Sequence, residues 1–515
     1  MSDGQNPSHD PVHLLTLNAA LQAENESLRA VVAALKRALY GARSEKQIEP
    51  VNQLPLGLDD LSPTPVEPAK LPAPANSNQP PRPKAVRNIG GLPAHLPRVD
   101  ITIEPPCKTC PCGAGKLHLI GEDVSEMLDV VPAVLRVKRI HRPRYGCRSC
   151  EGAVVQAKAP PRPVDGGLPT PALLVHVAVT KFAWHMPLNR QAQMLAGQGI
   201  VLDRSTLVHW VARLAWWLKP LHELLRTTIL SAPKIFCDDT PLPVLDRTRK
   251  RTRIARLWAY AIDDRPWGGT RPPAVVYLYA QDRKGQHVDD HLAGKNCVLQ
   301  VDAYAGYNRL TRRGRAGGPV TLAFCLAHAR RKFFEVHKAT DDPIAAEALQ
   351  RIAAIYRIEK NIRGTSPEAR VAVRQAETLR LLEAFKPWLL NRLAEISAKS
   401  TLAKAIKYTL GHWAGLCVFL NDGRVEVDNN TVERSIRPIA LGRKNSLFAG
   451  SDGGGESWAI LASLINTAKL HDLDPQTYLT DVLERMVSGA TKVNALSALL
   501  PWNWRAAQTA RAIAA

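Results

Sequence analysis

The spacing of apolar positions changes along the chain, and each change marks a segment. Between Val12 and Leu39, leucine recurs every seventh residue, at Leu14, Leu21, Leu28 and Leu35, while Asn18, Asn25, Val32 and Leu39 occupy the second seam. Leucine on one seam with asparagine on the other fixes the register of a parallel two-stranded coiled coil, so this stretch predicts a self-associating helix that ends at Gly41. The period then disappears. Prolines crowd the stretch from Pro63 to Pro83 within 47–100, which predicts an extended, semi-rigid linker. Helical spacing returns from Thr170 to Leu230. There a helix ends at Gly197 or Gly199, and Asp203 caps a second helix that opens with Arg204, Ser205 and Thr206. Helix, glycine-bearing turn and capped helix form a helix-turn-helix pattern, whose second helix enters the DNA major groove by its first residues.

From Lys234 the texture is that of strands. Lys234–Cys237 runs through Asp238-Asp239-Thr240 into Leu242–Leu245. Arg256–Ile262, Ala274–Tyr279, Cys297–Val301 and Val320–Cys325 follow, with a short helix at Gly285–Leu292 before the fourth strand. Three meandering strands, a helix, a strand ending on an acid and a fifth strand leading into a helix give the order of a ribonuclease-H-like α/β layer. In that layer the first and fourth strands are neighbours, so Asp238 and Asp302 would meet. Asp341–Leu420 is helical throughout, too long for a connection, and reads as an insertion. The chain rejoins the layer at Val427. Gly450–Gly455 reads as a mobile turn near the site, Trp458–Lys469 and Pro475–Met486 as helices, and the aromatics of Leu500–Trp504 as a packing anchor.

The expected organisation is therefore multidomain α/β. A coiled-coil helix spans 1–46, a linker 47–100, a zinc-binding module 101–155 and a helix-turn-helix region 160–230. The ribonuclease-H-like core occupies 231–340 and 421–480 around a helical insertion at 341–420, and a helix and tail fill 481–515.

Composition is that of an ordinary soluble chain, with 45% hydrophobic residues, but the net charge of +21 and pI of about 9.7 are not ordinary. Such an excess favours a polyanion, of which nucleic acid is the commonest. No secretory leader and no membrane span are evident, so the expected setting is the cytoplasm, in association with the nucleoid of a bacterium. Five of nine cysteines fall between Cys107 and Cys150. The pairs Cys107-x-x-Cys110 and Cys147-x-x-Cys150 predict four thiolates around one structural Zn²⁺, with Cys112 a spare beside Cys110. Val134–Tyr145, before the second pair, reads as a basic strand facing DNA.

Three carboxylates carry the candidate chemistry. Asp238 and Asp302 end strands, and Glu433 lies on a helix followed by Arg434, Arg437, Arg443 and Lys444. Carboxylates hold hard Mg²⁺, and two such ions about 4 Å apart activate a nucleophile and stabilise a leaving oxygen at phosphorus. Each acid has a plainer explanation: a solvated turn residue for the two aspartates, and for Glu433 a capping box with Asn430 as N-cap. Asp239 competes with Asp238, and Glu426 and Asp428 compete with Glu433. His328 fits a proton donor, a phosphate contact or a core histidine.

These residues sit in motifs that resemble a known family. YGARSEK, CPCG…GEDVSEMLDVVPA…RPRYGCRSC, PLNRQAQML…DRSTLVHWV, VDAYAGYN, CLAHARRKFFE, DNNTVERSIRPIALGRKNSLFAGSDGG and the terminal LPWNW are similar to the insertion-sequence-sixty-six family of DDE transposases, over nearly the whole length. The resemblance implies catalytic, metal-binding carboxylates at Asp238, Asp302 and Glu433, with two Mg²⁺ ions or Mn²⁺ in their place. It implies hydrolysis at a transposon end that frees a 3′-hydroxyl, which then attacks target DNA. Its partners would be the duplex DNA of transposon ends and target, and a second copy held through the coiled coil; accessory transposition proteins are compatible with it. Arg437, Arg443 and Lys444 would contact phosphates near the cut, and Arg204, Ser205 and Thr206 the terminal repeats. One departure is visible: the family's first motif commonly reads Asp-Glu-Thr, and here it is Asp238-Asp239-Thr240. A DNA-binding regulator without catalysis shares the zinc, the helix-turn-helix and the charge, but does not need the three acids together.

Overall fold

The computed structural model describes residues 135, 137–146, 154–246 and 248–514. The expected coiled coil, the linker and the ligands Cys107, Cys110, Cys147 and Cys150 lie outside the described residues. The described residues before Pro160 and those from Pro160 onward belong to separate units. In the first, β1 (Arg144–Gly146) pairs antiparallel with β2 (Val154–Gln156). The strand expected over Val134–Tyr145 is thus laddered only at its end. Arg142 is tied down, donating through Nε to the Ala157 carbonyl at 2.8 Å, while Lys138 and Arg139 are exposed.

The larger unit opens with α1 (Pro171–Phe182), α2 (Leu188–Gly197) and α3 (Arg204–Leu230). Asp203 caps α3 as expected, its carboxylate accepting from the Ser205 N–H. This helix runs for 27 residues and buries Leu207, Trp210, Leu214, Leu218, Leu221 and Leu225, so its N-terminal end is free while its length belongs to the core.

The sheet has the order β5-β4-β3-β6-β7. Strands β3 (Lys234–Asp246), β4 (Arg251–Ile262) and β5 (Ala274–Ala280) form an antiparallel meander, followed by α4 (Gly285–His291). Then β6 (Val298–Val301) and β7 (Thr321–Phe324) add in parallel, so the first and fourth strands are neighbours. The sequence breaks the first strand at Asp238-Asp239-Thr240, but β3 is continuous, and Asp238 lies within it rather than at its end. Pro241 and Pro243 explain how. A proline cannot donate to a ladder and is tolerated where its nitrogen faces a free edge. Short β6 pairs with β3 only over Lys234–Phe236, and beyond it that side of β3 is open. The odd-numbered residues face that side, as the bonds of Pro243 and Leu245 to Ala449 show, so both prolines fall where no strand needs their N–H.

The next helices are α5 (Leu326–Thr340), α6 (Pro343–Asn361), α7 (Pro367–Val373), α8 (Leu379–Glu395), α9 (Thr401–Gly411) and α10 (Trp413–Leu416), with a π-helical turn at Arg374–Thr378 joining α7 to α8. They build a core of their own around Phe333, Ile352, Ile355, Phe385, Leu389 and Ile406. The chain returns through α11 (Asn430–Ser446), α12 (Asp452–Leu470), α13 (Pro475–Ser488) and α14 (Pro501–Ala514). Trp504 is buried against Tyr478 and donates to Asp481 at 2.7 Å, the packing anchor expected of the tail.

The glycines of Gly450–Gly455 are not a mobile turn. Gly453 to Gly455 form the first turn of α12, capped by Ser451. The helix lies along edge strand β5 with small residues at every fourth position: Gly455, Ala459, Ser463 and Thr467. A Cβ on Gly455 would collide with the Tyr279 ring. Ser463 Oγ accepts from the Tyr277 N–H, and Thr467 Oγ accepts from Val275 N–H and donates to its carbonyl, which closes an edge that would otherwise be open to pairing.

Candidate active site

Asp238 and Asp302 come together through strand register. In the β3–β6 pair, Lys234 is level with Val298, Ile235 with Leu299 and Phe236 with Gln300. Continuing the same register two residues past Phe236 sets Asp238 level with Asp302, on strands spaced about 4.8 Å apart. β6 stops at Val301, and Ala303 has a left-handed backbone, φ +70°, a conformation unfavourable for a residue with a Cβ. The turn is held by Asp302 itself, whose Oδ1 accepts from the Tyr304 N–H at 3.0 Å.

Glu433 arrives on the open side of β3. The strand's unpaired groups there are met by the segment that carries α11. The Asn429 amide donates to the Cys237 carbonyl at 3.1 Å, the Arg443 guanidinium donates to the Pro241 carbonyl, and Ala449 exchanges two backbone bonds with Pro243 and Leu245, each 2.9 Å. These attachments dock the helix along the edge where β6 is missing. The capping box that stood as the plainer alternative for Glu433 is absent: α11 begins at Asn430, Asn429 holds the cap position without a capping bond, and its amide is used on the strand instead. Glu433 Oε1 is buried with no hydrogen-bond partner among the described residues.

The electrostatics follow from this crowding. Asp238 is pushed well above the usual carboxylate range, first by burial and then by Asp302 and Glu433. Glu433 is pushed up to about 7, by burial before the charges of Asp428 and Asp302, with Arg331 opposing. Among the described residues, no Arg or Lys nitrogen lies within 4.0 Å of a carboxylate oxygen of Asp238 or Glu433. Converging carboxylates, one with an orphaned buried oxygen, fit a divalent cation and are otherwise costly.

The competitors of these acids are occupied. Asp239 is clamped by Arg256 at 3.0 Å and Arg283 at 2.8 Å, with its side chain fully buried. Glu426 lies 2.8 Å from Arg370, and Asp428 accepts from the Asn430 backbone and amide at 3.1 and 2.9 Å. Arg283 was not singled out by the sequence. It stacks on Tyr304 at 4.1 Å and reaches within 3.7 Å of Asp302, so it bridges the structural aspartate and the site. Its signal in the sequence is weak, a cation in the turn after the third strand.

His328 sits on α5 with Nδ1 3.8 Å from Glu433 Oε1 and without a hydrogen-bond partner. Burial, then Arg331 and Lys332, pushes its imidazole down to about 4, so near neutral pH it is uncharged and the contact is not an ion pair. Cys325, at the start of α5, completes a group with His328 and Glu433 whose ligand atoms all lie within 4.8 Å of one another. Asp238, Asp302 and Glu433 do not form so tight a group. Ligands spread around two ions need not, because the outer oxygens then stand farther apart than those of a single ion.

The expected DNA contacts divide in two. Arg437 and Lys444 are exposed along α11, seven residues apart, and Arg434, not among the expected contacts, is exposed one helical step before Arg437. Arg443, by contrast, is half-buried on the Pro241 carbonyl. Arg204 and Ser205 are exposed, and Thr206 half-buried, at the first turn of α3.

Four family models match the chain. The one described as "Transposase IS66 family" covers residues 166–457, and "zinc-finger binding domain of transposase IS66" covers 108–151. "IS66 C-terminal element" covers 463–502, and "Transposase C of IS166 homeodomain" covers 27–101. The zinc-finger match includes Cys110, Cys147 and Cys150 and starts one residue after Cys107. Three proteins of Sinorhizobium fredii (strain NBRC 101917 / NGR234), all described as uncharacterized, are similar over most of their length. Protein y4jD is 54% identical across 94% of this chain and 96% of its own. Proteins y4hP and y4qI are 37% and 38% identical, across 94% and 95% of this chain and 90% and 91% of theirs.

Proposed function

We propose, for a chain that belongs to the IS66 family of transposases, that it cuts DNA at transposon ends and joins the freed 3′-hydroxyl to target DNA, with Asp238, Asp302 and Glu433 as the catalytic carboxylates. The observation that carries this is the convergence at β3. A parallel neighbour brings Asp302 level with Asp238, and a helix docked on the vacant edge brings in Glu433 with an unpartnered oxygen. The five-strand order, with first and fourth strands adjacent, supports a ribonuclease-H-like core.

The three acids would hold Mg²⁺ or Mn²⁺, two ions in this reading, whose chemistry is to make an oxygen nucleophile and neutralise charge at phosphorus. The remaining work is positioning and electrostatics. Arg283 clamps Asp239 and lies beside Asp302, which keeps the strand-end acid aimed at the site. Arg434, Arg437 and Lys444 continue from Glu433 along one helix, as a row of phosphate contacts leading away from the cut. Arg204, Ser205 and Thr206 open α3 and would read a terminal repeat in the major groove. The +21 charge supplies salt-dependent affinity for both DNA segments. A structural Zn²⁺ on Cys107, Cys110, Cys147 and Cys150 and a coiled-coil dimer would complete an assembly able to hold two ends.

The test is Mg²⁺-dependent cleavage of labelled duplex carrying the flanking repeats. Asp302→Asn and Glu433→Gln are each expected to lower cleavage by at least about 1,000-fold while leaving duplex binding in place. Binding without cleavage by the wild-type chain, under Mg²⁺ and Mn²⁺ alike, would favour the regulator instead.

A further inference from the structure

Cys325 and His328 form a Cys-x-x-His step where β7 turns into α5, and nothing in the proposed reaction uses them. The Cys325 side chain is buried, and its sulfur accepts the Asn429 N–H at 3.2 Å, the kind of bond that steadies a ligating thiolate. His328 Nδ1 and Glu433 Oε1 are buried atoms without hydrogen-bond partners, 3.8 Å apart, yet each side chain keeps 22% of its surface exposed. Ligand atoms around one tetrahedral zinc, at about 2.0–2.3 Å from the metal, stand about 3.3–3.8 Å from one another. The three donor atoms here lie within 4.8 Å of each other, so small side-chain movements close the set. One sulfur, one nitrogen and one oxygen suit a borderline-soft ion, whereas Mg²⁺ takes oxygen.

We propose that Cys325, His328 and Glu433 form a second metal site, selective for Zn²⁺ over Mg²⁺, which captures Glu433 and so turns the carboxylate centre off. Zinc at this site and Mg²⁺ at the carboxylates compete for one side chain. The site is separate from the cysteine pairs expected near Cys107 and Cys147. Its inhibitory effect rests on the catalytic reading of Glu433; its existence does not.

The experiment uses the full chain with its cysteine-pair zinc already loaded, and has two arms. Titration with Co²⁺ as a coloured substitute should give a sulfur-to-metal charge-transfer band and one further bound ion per chain, both lost in Cys325→Ser and weakened by at least about tenfold in His328→Gln. In the cleavage assay, added Zn²⁺ should inhibit the wild type in competition with Mg²⁺. Cys325→Ser should cleave as well as wild type in Mg²⁺ alone, but need at least about tenfold more Zn²⁺ for the same inhibition. An identical cobalt band in wild type and both variants would overturn the site. If Cys325→Ser misfolds, His328→Gln, judged by its cobalt affinity with an unchanged thermal melt, decides alone. A chain that shows the cobalt site but never cleaves DNA would refute the transposase reading and leave this one standing.

Discussion

Two charged clusters of the larger unit, one buried among helices and one half-buried at the edge of β3, are built differently. In the helical segment, Arg374 is fully buried, and its guanidinium meets Glu359 with bonds of 2.8 and 2.7 Å, the Phe419 carbonyl at 2.7 Å and the Val425 carbonyl at 3.0 Å. Every nitrogen of that side chain has a partner inside the protein. At the β3 edge, Asp238 and Glu433 gather with Asp302, yet neither has an Arg or Lys within 4.0 Å among the described residues, and Glu433 Oε1 bonds nothing. Its neighbour Arg370, paired with Glu359 and Glu426, does leave Nε and one terminal nitrogen buried without partners among the described residues, but every charge in this cluster faces an opposite one, which explains it as structure. The second is left unbalanced by the protein, which is what a site that receives a cation from outside requires. Conspicuous acids are therefore a poor guide to function, whereas acids without internal partners are a better one. Asp239 lies next to Asp238 in sequence and falls on the structural side of that line, clamped by two arginines.

The largest test of the contrast lies in the charge-matched cluster around Glu359. Glu359→Ala should destabilise the protein by about 3–5 kcal/mol in chemical denaturation, since it strands a buried guanidinium. A loss below about 1 kcal/mol would mean the two clusters do not differ as argued.

The unbalanced carboxylate cluster should behave in the opposite sense. Without metal, Glu433→Gln should stabilise the protein, because ionised Glu433 is a burden to the fold. The folded value of about 7 lies above the ordinary 4.5. Stability from the protonated form is thus fully present below 4.5 and lost as pH rises through 7. His328 acts the other way: with a folded value of about 4 against 6.5, its contribution is lost as pH falls through 4. The two partly cancel in the wild type between 4.5 and 6.5, so the difference between wild type and Glu433→Gln is the quantity to follow. It should grow from pH 4.5 to a plateau of about 1–3 kcal/mol above pH 7. Mg²⁺ should close that gap by stabilising the wild type alone. A variant no more stable than wild type in metal-free buffer at pH 8 would remove the argument from electrostatic burden.

The sequence discloses the fold unevenly, for physical reasons. Period-two strands and their order are enough to place the first and fourth strands side by side, because that consequence depends on topology rather than on detail. Two prolines and a polar triplet make β3 look broken, since proline ordinarily argues against a central strand; only the shortness of β6 shows that the edge is free. Gly450–Gly455 read as a turn because glycine is ambiguous alone, and the reason for Gly455 is a Tyr279 ring two strands away from Asp238. Asn429 and Arg443 are invisible as attachments of α11, because their partners are backbone carbonyls nearly two hundred residues or more earlier. Acids that share a site can be nominated from sequence, but whether each is already paired depends on contacts such as Arg283 to Asp239, which no local pattern announces.

The same distinction separates the cations of α11, with the smallest effects. Arg437 is exposed and has no bonded partner among the described residues, so Arg437→Ala should leave stability within about 0.5 kcal/mol and weaken duplex binding, with the salt slope of log affinity falling by about 1. Arg443 is half-buried, its acidity raised by burial and by Arg256 nearby, and it closes the Pro241 carbonyl on the open side of β3. Arg443→Ala should therefore act on the fold first. It leaves that carbonyl unpaired and loosens the helix that carries Glu433, at about 1–3 kcal/mol, while the salt slope stays near the wild-type value. Binding titrations across salt concentrations, run beside denaturant curves, separate the two. If Arg443→Ala lowers the slope by as much as Arg437→Ala without loss of stability, Arg443 faces DNA in the working complex, and its bond to β3 must open when DNA arrives.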